Sequence, residues 1–454
     1  ITQILMKLLK TLIIVFVFLS APANAKLTIL SWEENSQLTL TGKISEIVIK
    51  ADVSELPENM AMSSFSIVFD PTQNITIKRV VSDEKLSDEK NTDYSFNNNA
   101  LNIKFPNGKK NGEAITIYFS YAEKYDKIHQ FLRQEAIYVP AFAAGAKATV
   151  TFNFPGYFES ATFNPNLTKK GNSFVYSSIV PPQGVREFIK LTPSQSTWEI
   201  ALKTEIKSEQ SLGKIVAKVP IFFQSAHQKV DNYQTFASVD WKDQKTDNNF
   251  KTLSFDTVAN KILIINNAKI TTGTVNRRIS SRDPKNYINV TLEEASLLSP
   301  ILQQIKNEQI YSNIPLYAKI GKFVHEYLKY DISYLGRLPN LQEIVRGRVG
   351  VCTEYARLYD ALARLAGIPS IIIDGAACGE YQECQGHSWN MIYHEGNWIE
   401  VDPTWDLMSG IVSSSHVYFN DNNKGITGVE YFNKSANIKV KIDLEMNLID
   451  TINY

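Results

Sequence analysis

The stretch that most constrains this chain is Gly350-Val351-Cys352-Thr353-Glu354-Tyr355-Ala356 and its continuation to Gly367-Ile368-Pro369. Tyr355, Leu358, Tyr359, Leu362 and Leu365 recur at helical period, with Glu354, Arg357, Asp360 and Arg364 between them, which predicts a helix with one buried face. Gly367 and Pro369 end it, because glycine accepts the left-handed conformation after a helix and proline cannot continue the ladder. Cys352 then lies in the first turn, where unpaired backbone N–H groups and the helix dipole favour thiolate over thiol. Three and seven residues on stand Tyr355 and Tyr359, so the cysteine points along the buried face, and a partner base is expected from whatever packs there.

Downstream, alternating runs flank Glu395-Gly396 and predict a hairpin with strands near 387–393 and 398–402. A turn centred on those two residues sets Tyr393 opposite Trp398 and Trp389 opposite Asp402, with His387 and Asp402 as diagonal neighbours on one face. A single bulge would change this register. A cysteine at a helix start with an imidazole and a carboxylate paired on a hairpin is the constellation of thiol catalysis: Cys352 as nucleophile, His387 as general base and acid, Asp402 as orienter of the ring. The competing reading of Cys352 is a small buried core residue. His325, on the preceding helix, and His394, in the hairpin turn, are poorer bases. An oxyanion would be met by the backbone N–H of Cys352 and a side-chain donor, for which Gln342 is a guess. Trp389 and Trp405 either wall the site or pack beneath it.

Gly350-x-Cys352-x-x-Tyr355-Ala356, Gly367-Ile368-Pro369, His387-x-Trp389 and Trp398-x-x-Val401-Asp402-Pro403-Thr404 together resemble the core of the transglutaminase-like superfamily, over roughly Asn286 to Phe432. The resemblance implies a papain-like α+β domain with Cys352, His387 and Asp402 as its triad. It says little about substrate, since the family includes acyl transferases, peptide hydrolases, amidases and members without activity.

Counted from Met6, a basic start, the apolar run Thr11 to Leu19 and Ala23-Asn-Ala25 read as a signal peptide over 1–25, cleaved after Ala25, which points to a periplasmic or secreted product. An uncleaved anchor is the alternative. Removing 1–25 takes two lysines and no acid from a chain with 47 basic and 47 acidic residues, so there is no electrostatic case for nucleic acid. No second apolar stretch is long enough to span a membrane.

The remainder of the 454-residue chain is long enough for two to four domains. From Lys26 to about Thr274 it is rich in short alternating runs: Leu38 to Thr41, Ile44 to Ile49, Phe65 to Phe69, Ile75 to Ile77, Ile115 to Phe119, Ala148 to Phe154, Lys261 to Ile265. Breaks such as Pro106-Asn-Gly108 and Pro155-Gly156 separate them, and the pattern predicts all-β sandwich modules, one over 26–125 and a second β-rich one over 126–275. Tyr125 to Ala136 reads as a helix between them. The catalytic domain is expected over 286–454. It opens with the capping box Thr291-Leu-Glu-Glu294 and a second helix from Pro315 to near Tyr330, and a last strand at Ile438 to Ile442 is expected to complete its sheet.

Asp83 to Lys90 alternates acids with lysines and reads as a solvated loop, not a cation site. His129 and His227 read as surface or structural histidines, and the sequons at Asn74, Asn166, Asn289 and Asn433 matter only in a glycosylating source. Cys378 and Cys384 bracket a short polar loop and are expected to form a disulfide, leaving Cys352 free. A zinc set of the three cysteines and His387 has unusual spacing and is disfavoured, so no metal is assigned. These readings converge on a thiol-dependent enzyme acting on peptide or side-chain amides, with protein or peptide substrates, cell-envelope ones among them, and no cofactor. Hydrolysis asks least of the site. A protein-glutamine transglutaminase and a non-catalytic scaffold are the alternatives.

Overall fold

The computed structural model describes residues 26–39, 41–56, 58–82, 93–125, 132–220, 222, 227–246, 250–273, 282–308, 313–337, 339–379, 384–420 and 437–451. The expected signal peptide at 1–25, the Asp83 to Lys90 stretch, His129 and the Asn433 sequon lie outside them. The chain divides into two compact units, the first within 1–128, 134–156 and 166–189, the second within 129–133, 157–165 and 190–454.

The first unit is built on a seven-stranded sheet whose centre is the antiparallel pair Lys26–Leu38 and Gly42–Ser54. Its edges take in Lys147–Asn153, which runs parallel to Lys26–Leu38, and Ser173–Ile179, both strands past residue 125. A three-stranded sheet of Met62–Val68, Ala100–Lys109 and Tyr94–Asn97 supplies Phe65, Ile67, Leu101 and Ile103, all buried. Phe69, just past the Met62–Val68 strand, meets Tyr121 of the larger sheet edge-on at 5.2 Å. Two expectations fail locally. Leu38 ends its strand, and Thr39 bonds Gly42 across the turn at 2.8 Å. Pro106-Asn-Gly108 does not break a strand but lies within Ala100–Lys109, where the ladder jumps from Ser64↔Lys104 to Met62↔Lys109: proline gives no N–H and Gly108 turns left-handed, so the residues bulge out and pairing resumes. The helix expected at Tyr125 to Ala136 is also not formed over its described end, since Arg133–Val139 is a strand with Ala136, Ile137 and Val139 buried at β spacing.

In the second unit, Gln228–Ala237, Lys261–Gly273, Gln195–Lys207 and Lys439–Thr451 form one sheet, and Gly213–Pro220, Phe250–Thr257 and Lys242–Thr246 another. The last strand therefore does not complete the catalytic sheet. Its alternation runs on to Thr451 and pairs antiparallel with Gln195–Lys207, which sets Ile442, Leu444, Met446 and Leu448 against a core with Trp198 and Ile200.

Among the described residues the α+β part of this unit comprises four helices, Leu292–Asn307, Leu316–Tyr327, Leu341–Gly347 and Cys352–Leu365, and a sheet ordered Asn397–Val401, Cys384–His394, Ser370–Cys378, Val417–Asn420. Thr291 and Glu294 cap the first helix reciprocally, as the motif requires. The second stops at Tyr327, short of Tyr330, because Lys329–Tyr330 leaves the helix to pair in parallel with Val349–Gly350. Leu298, Ile320, Val324, Leu358, Leu362 and Ile392 share one core, which fixes the cysteine helix on the histidine strand. Asn390 adds a directed tie, donating its amide to the Ala356 carbonyl at 3.0 Å.

Candidate active site

Cys352 is the first residue of its helix. The helix start is held by an acid rather than by a Ser or Thr: the buried Glu354 folds back and its Oε2 accepts from the Val351 N–H at 2.8 Å. Burial raises the Glu354 pKa, against that hydrogen bond. This fold-back needs Gly350, since a Cβ there would stand 2.4 Å from the Glu354 Cβ and 2.7 Å from its Cγ. Gly350→Ala is expected to cost ~1–2 kcal/mol, the worth of a helix cap, read as a lower Tm on thermal unfolding.

The hairpin has the register the alternation predicts, with Tyr393 opposite Trp398 and His394 opposite Asn397. Asp402 follows the ladder, and His387 Nε2 lies 2.9 Å from its Oδ2. His387 also hydrogen-bonds Cys352, which raises its pKa. All three residues are buried, Cys352 the least at 8% exposure. Oδ1 of Asp402 accepts from the N–H groups of Thr404 at 2.8 Å and Trp405 at 3.3 Å, which fixes the carboxylate in a tight turn. That turn is closed by paired backbone bonds of 2.9 Å between Asp402 and Leu407. His325, no base here, instead faces the Pro403 and Thr404 carbonyls through Nδ1 at 3.2 and 3.1 Å. His394 packs on Tyr317.

Burial opposes charge on His387, but the charge and hydrogen bond of Asp402, joined by Cys352, outweigh it and lift the ring to about 10. Burial would likewise raise Asp402, yet His387 and then His416 hold it well below the usual carboxylate range. The pair is therefore ionic through neutral pH.

Trp405 stacks on His387 with centroids 4.5 Å apart, and Trp389, fully buried, is stacked at 6.1 Å. Gly375 admits this packing, since a Cβ would strike the Trp389 ring at 2.6 Å. Gln342 lies exposed on its short helix, whereas Cys352 is buried. The residue found beside Cys352 is Tyr330, placed by its pairing with Gly350 and 40% exposed. Burial, then the nearby Cys352, Asp402 and Glu354, push its phenol to about 12, so it stays a hydroxyl donor. Cys378 and Cys384 are joined by a disulfide, as expected, which removes two sulfurs from any zinc set.

The matching segment is residues 308–403. It matches the model of the transglutaminase-like superfamily. Over 130 residues the chain is 28% identical to the kyphoscoliosis peptidase of Mus musculus, covering 26% of this chain and 19% of that one. The Homo sapiens protein is 29% identical over 129 residues, or 26% and 18% of the two chains. The matched stretch thus spans about a fifth of the length of these relatives. Among solved structures, a candidate cysteine protease from Cytophaga hutchinsonii aligns over 57% of this chain and 93% of its own at 14% identity, with a TM-score of 0.42. The periplasmic domain of TgpA from Pseudomonas aeruginosa aligns over 46% and 91% at 17% identity, with a TM-score of 0.24.

Sequence reasoning passed over two residues of this transglutaminase-like site, Tyr330 and His416. Oδ2 of Asp402 faces a second imidazole, His416 Nε2 at 3.2 Å. His416 follows a serine run that gives no hydrophobic period. What positions it is tertiary: Ser415 Oγ bonds the N–H and carbonyl of Cys378 at 3.1 and 3.0 Å, and the next residues pair with Ser370–Cys378. The ligand atoms of His387, Asp402 and His416 lie within 4.8 Å of one another, a spacing metal sites also show. A metal on His387 Nε2 would, however, displace the proton that joins it to Asp402.

Proposed function

We propose that the transglutaminase-like domain performs thiol acyl transfer on peptide or side-chain amides, with water as acceptor. The observation that carries this reading is the buried His387 ring, held by Asp402 on one nitrogen and hydrogen-bonded to the free Cys352 at a helix start. The Cys352 sulfur attacks the amide carbonyl carbon, and the C–N bond breaks as His387 gives its proton to the leaving amine. Water then attacks the thioester, His387 takes its proton, and the acid leaves with the thiol restored. The Cys352 N–H, which has no acceptor within its helix, and the Tyr330 hydroxyl are the donors suited to the oxyanion. Substrates are polypeptides of an oxidising compartment, a placement that the Cys378–Cys384 bridge supports.

The test is alkylation of Cys352 by iodoacetamide, then incubation with a peptide library with and without a primary amine. A fast-reacting thiol and new carboxyl termini are expected; an inert thiol would favour a scaffold, and amine incorporation in place of hydrolysis a transglutaminase. Tyr330→Phe is expected to lower turnover by roughly 10²-fold with alkylation unchanged, as for loss of one oxyanion donor.

A further inference from the structure

We propose that His416 is a positioning residue of this site: a second imidazole on Asp402 which, on taking up a proton through a cleft that it lines and Cys352 does not, weakens the Cys352–His387 ion pair. This rests on the thiol reading above.

The geometry of the ring sets the argument. His416 is buried, with Nδ1 3.1 Å from the Ser413 carbonyl and Nε2 3.2 Å from Asp402 Oδ2. A carbonyl and a carboxylate can only accept, so each contact asks for an N–H. A neutral imidazole has one proton and satisfies one contact; the imidazolium satisfies both. The site therefore holds a ring that gains a hydrogen bond by becoming charged.

The groups facing it decide what that charge does. Asp402 and Glu400 are acids on its hairpin side, the His387 ring centroid stands 5.3 Å away, and Trp389 and Trp405 meet it in T-shaped contacts at 4.9 and 5.1 Å. Burial, and the charge of His387, hold His416 below its usual range, against the pull of Asp402 and Glu400. It is thus neutral while His387 carries its proton beside Asp402. Once it protonates, two imidazolium rings would share one carboxylate oxygen, and the like charges repel. The relief is a proton shift from His387 to the sulfur: one proton enters at His416, the His387 N–H bond breaks, an S–H bond forms, and the nucleophile is lost.

The route for that proton is a cleft of about 30 Å³, partly open, lined by His227, Gln228, Glu400, Ser413, His416 and Tyr418. This is room for one or two waters among polar partners. Cys352 and His387 do not line it, so His416 can exchange protons while a substrate covers the thiol.

The experiment is the rate of Cys352 alkylation by iodoacetamide across acid to neutral pH, for wild type, His416→Gln and His416→Phe. Wild type should lose reactivity on the acid side along a single-proton limb, because one proton is taken up at His416 and the second only moves within the site. His416→Gln, which keeps a donor for Asp402 but cannot be charged, should show a single-proton limb moved to lower pH by about half a unit or more. His416→Phe, which keeps a ring between the tryptophans but cannot be charged, should move the limb the same way, so a packing role alone would not produce the change. A Gln or Phe curve that superimposes on wild type overturns the proposal, and thermal unfolding of each variant checks that it is folded. If the thiol is coupled to His387 yet indifferent to His416, this inference alone falls. If His387→Ala leaves the curve unmoved, the acyl-transfer reading falls with it.

Discussion

Replacing His387 by alanine should lower turnover of a peptide amide by more than about 10³-fold while slowing alkylation of Cys352 much less. The two readouts separate because they ask different things of the ring. Alkylation needs only a thiolate, which the helix start still favours. Acyl transfer also needs a proton for the leaving amine and a base for the water, and the described residues offer no substitute: His325 is committed to the Pro403 and Thr404 carbonyls and His416 reaches Asp402. The wild-type profile should carry the same signature. With His387 raised to about 10, its charge is complete at neutral pH and is lost as pH rises through that value, so the alkaline fall in turnover belongs there. Equal losses in both assays, or an alkaline limb near 6.5, would show that the pair is not built as described.

Asp402→Ala should have the largest effect on stability, about 3–5 kcal/mol, because it strips a buried imidazolium of its counter-charge and leaves the Thr404 and Trp405 N–H groups unpaired. From sequence, Asp402 is the orienter of the His387 ring. The structure shows a carboxylate at 0% exposure with both oxygens engaged, which is a larger role. Asp402→Asn should recover little, since an amide turns one of those acceptors into a donor facing donors. The sign of the pH dependence follows from the shifts. The Asp402 share, from a lowered pKa, is present above 3.8 and lost as pH falls through its folded value. The His387 share, from a raised pKa, is complete below 6.5 and lost as pH climbs through about 10. Chemical denaturation of wild type and variant between those limits should give a constant difference from about 4 to 6.5 that shrinks toward 10. A difference that grows with pH in that range would refute the pairing.

What the sequence determined by itself is what local periodicity encodes. Helical spacing after Cys352 and alternation about Glu395-Gly396 fix which residues share a face, and the two-residue turn fixes the register, so Cys352, His387 and Asp402 could be singled out before any fold was known. The Cys378–Cys384 bridge was legible for the same reason, as two sulfurs closing a short loop. Long-range pairing decided the rest. Lys439–Thr451 has an alternation that any open sheet edge could accept, and only the tertiary structure gives it to Gln195–Lys207. Lys329–Tyr330 continues a helical pattern but gains more by pairing with Val349–Gly350, which is how Tyr330 reaches the thiol. His416 shows least in the sequence: a ring after three serines has no periodic signal, and its place on Asp402 exists only because Ser415 is pinned to Cys378, 37 residues away.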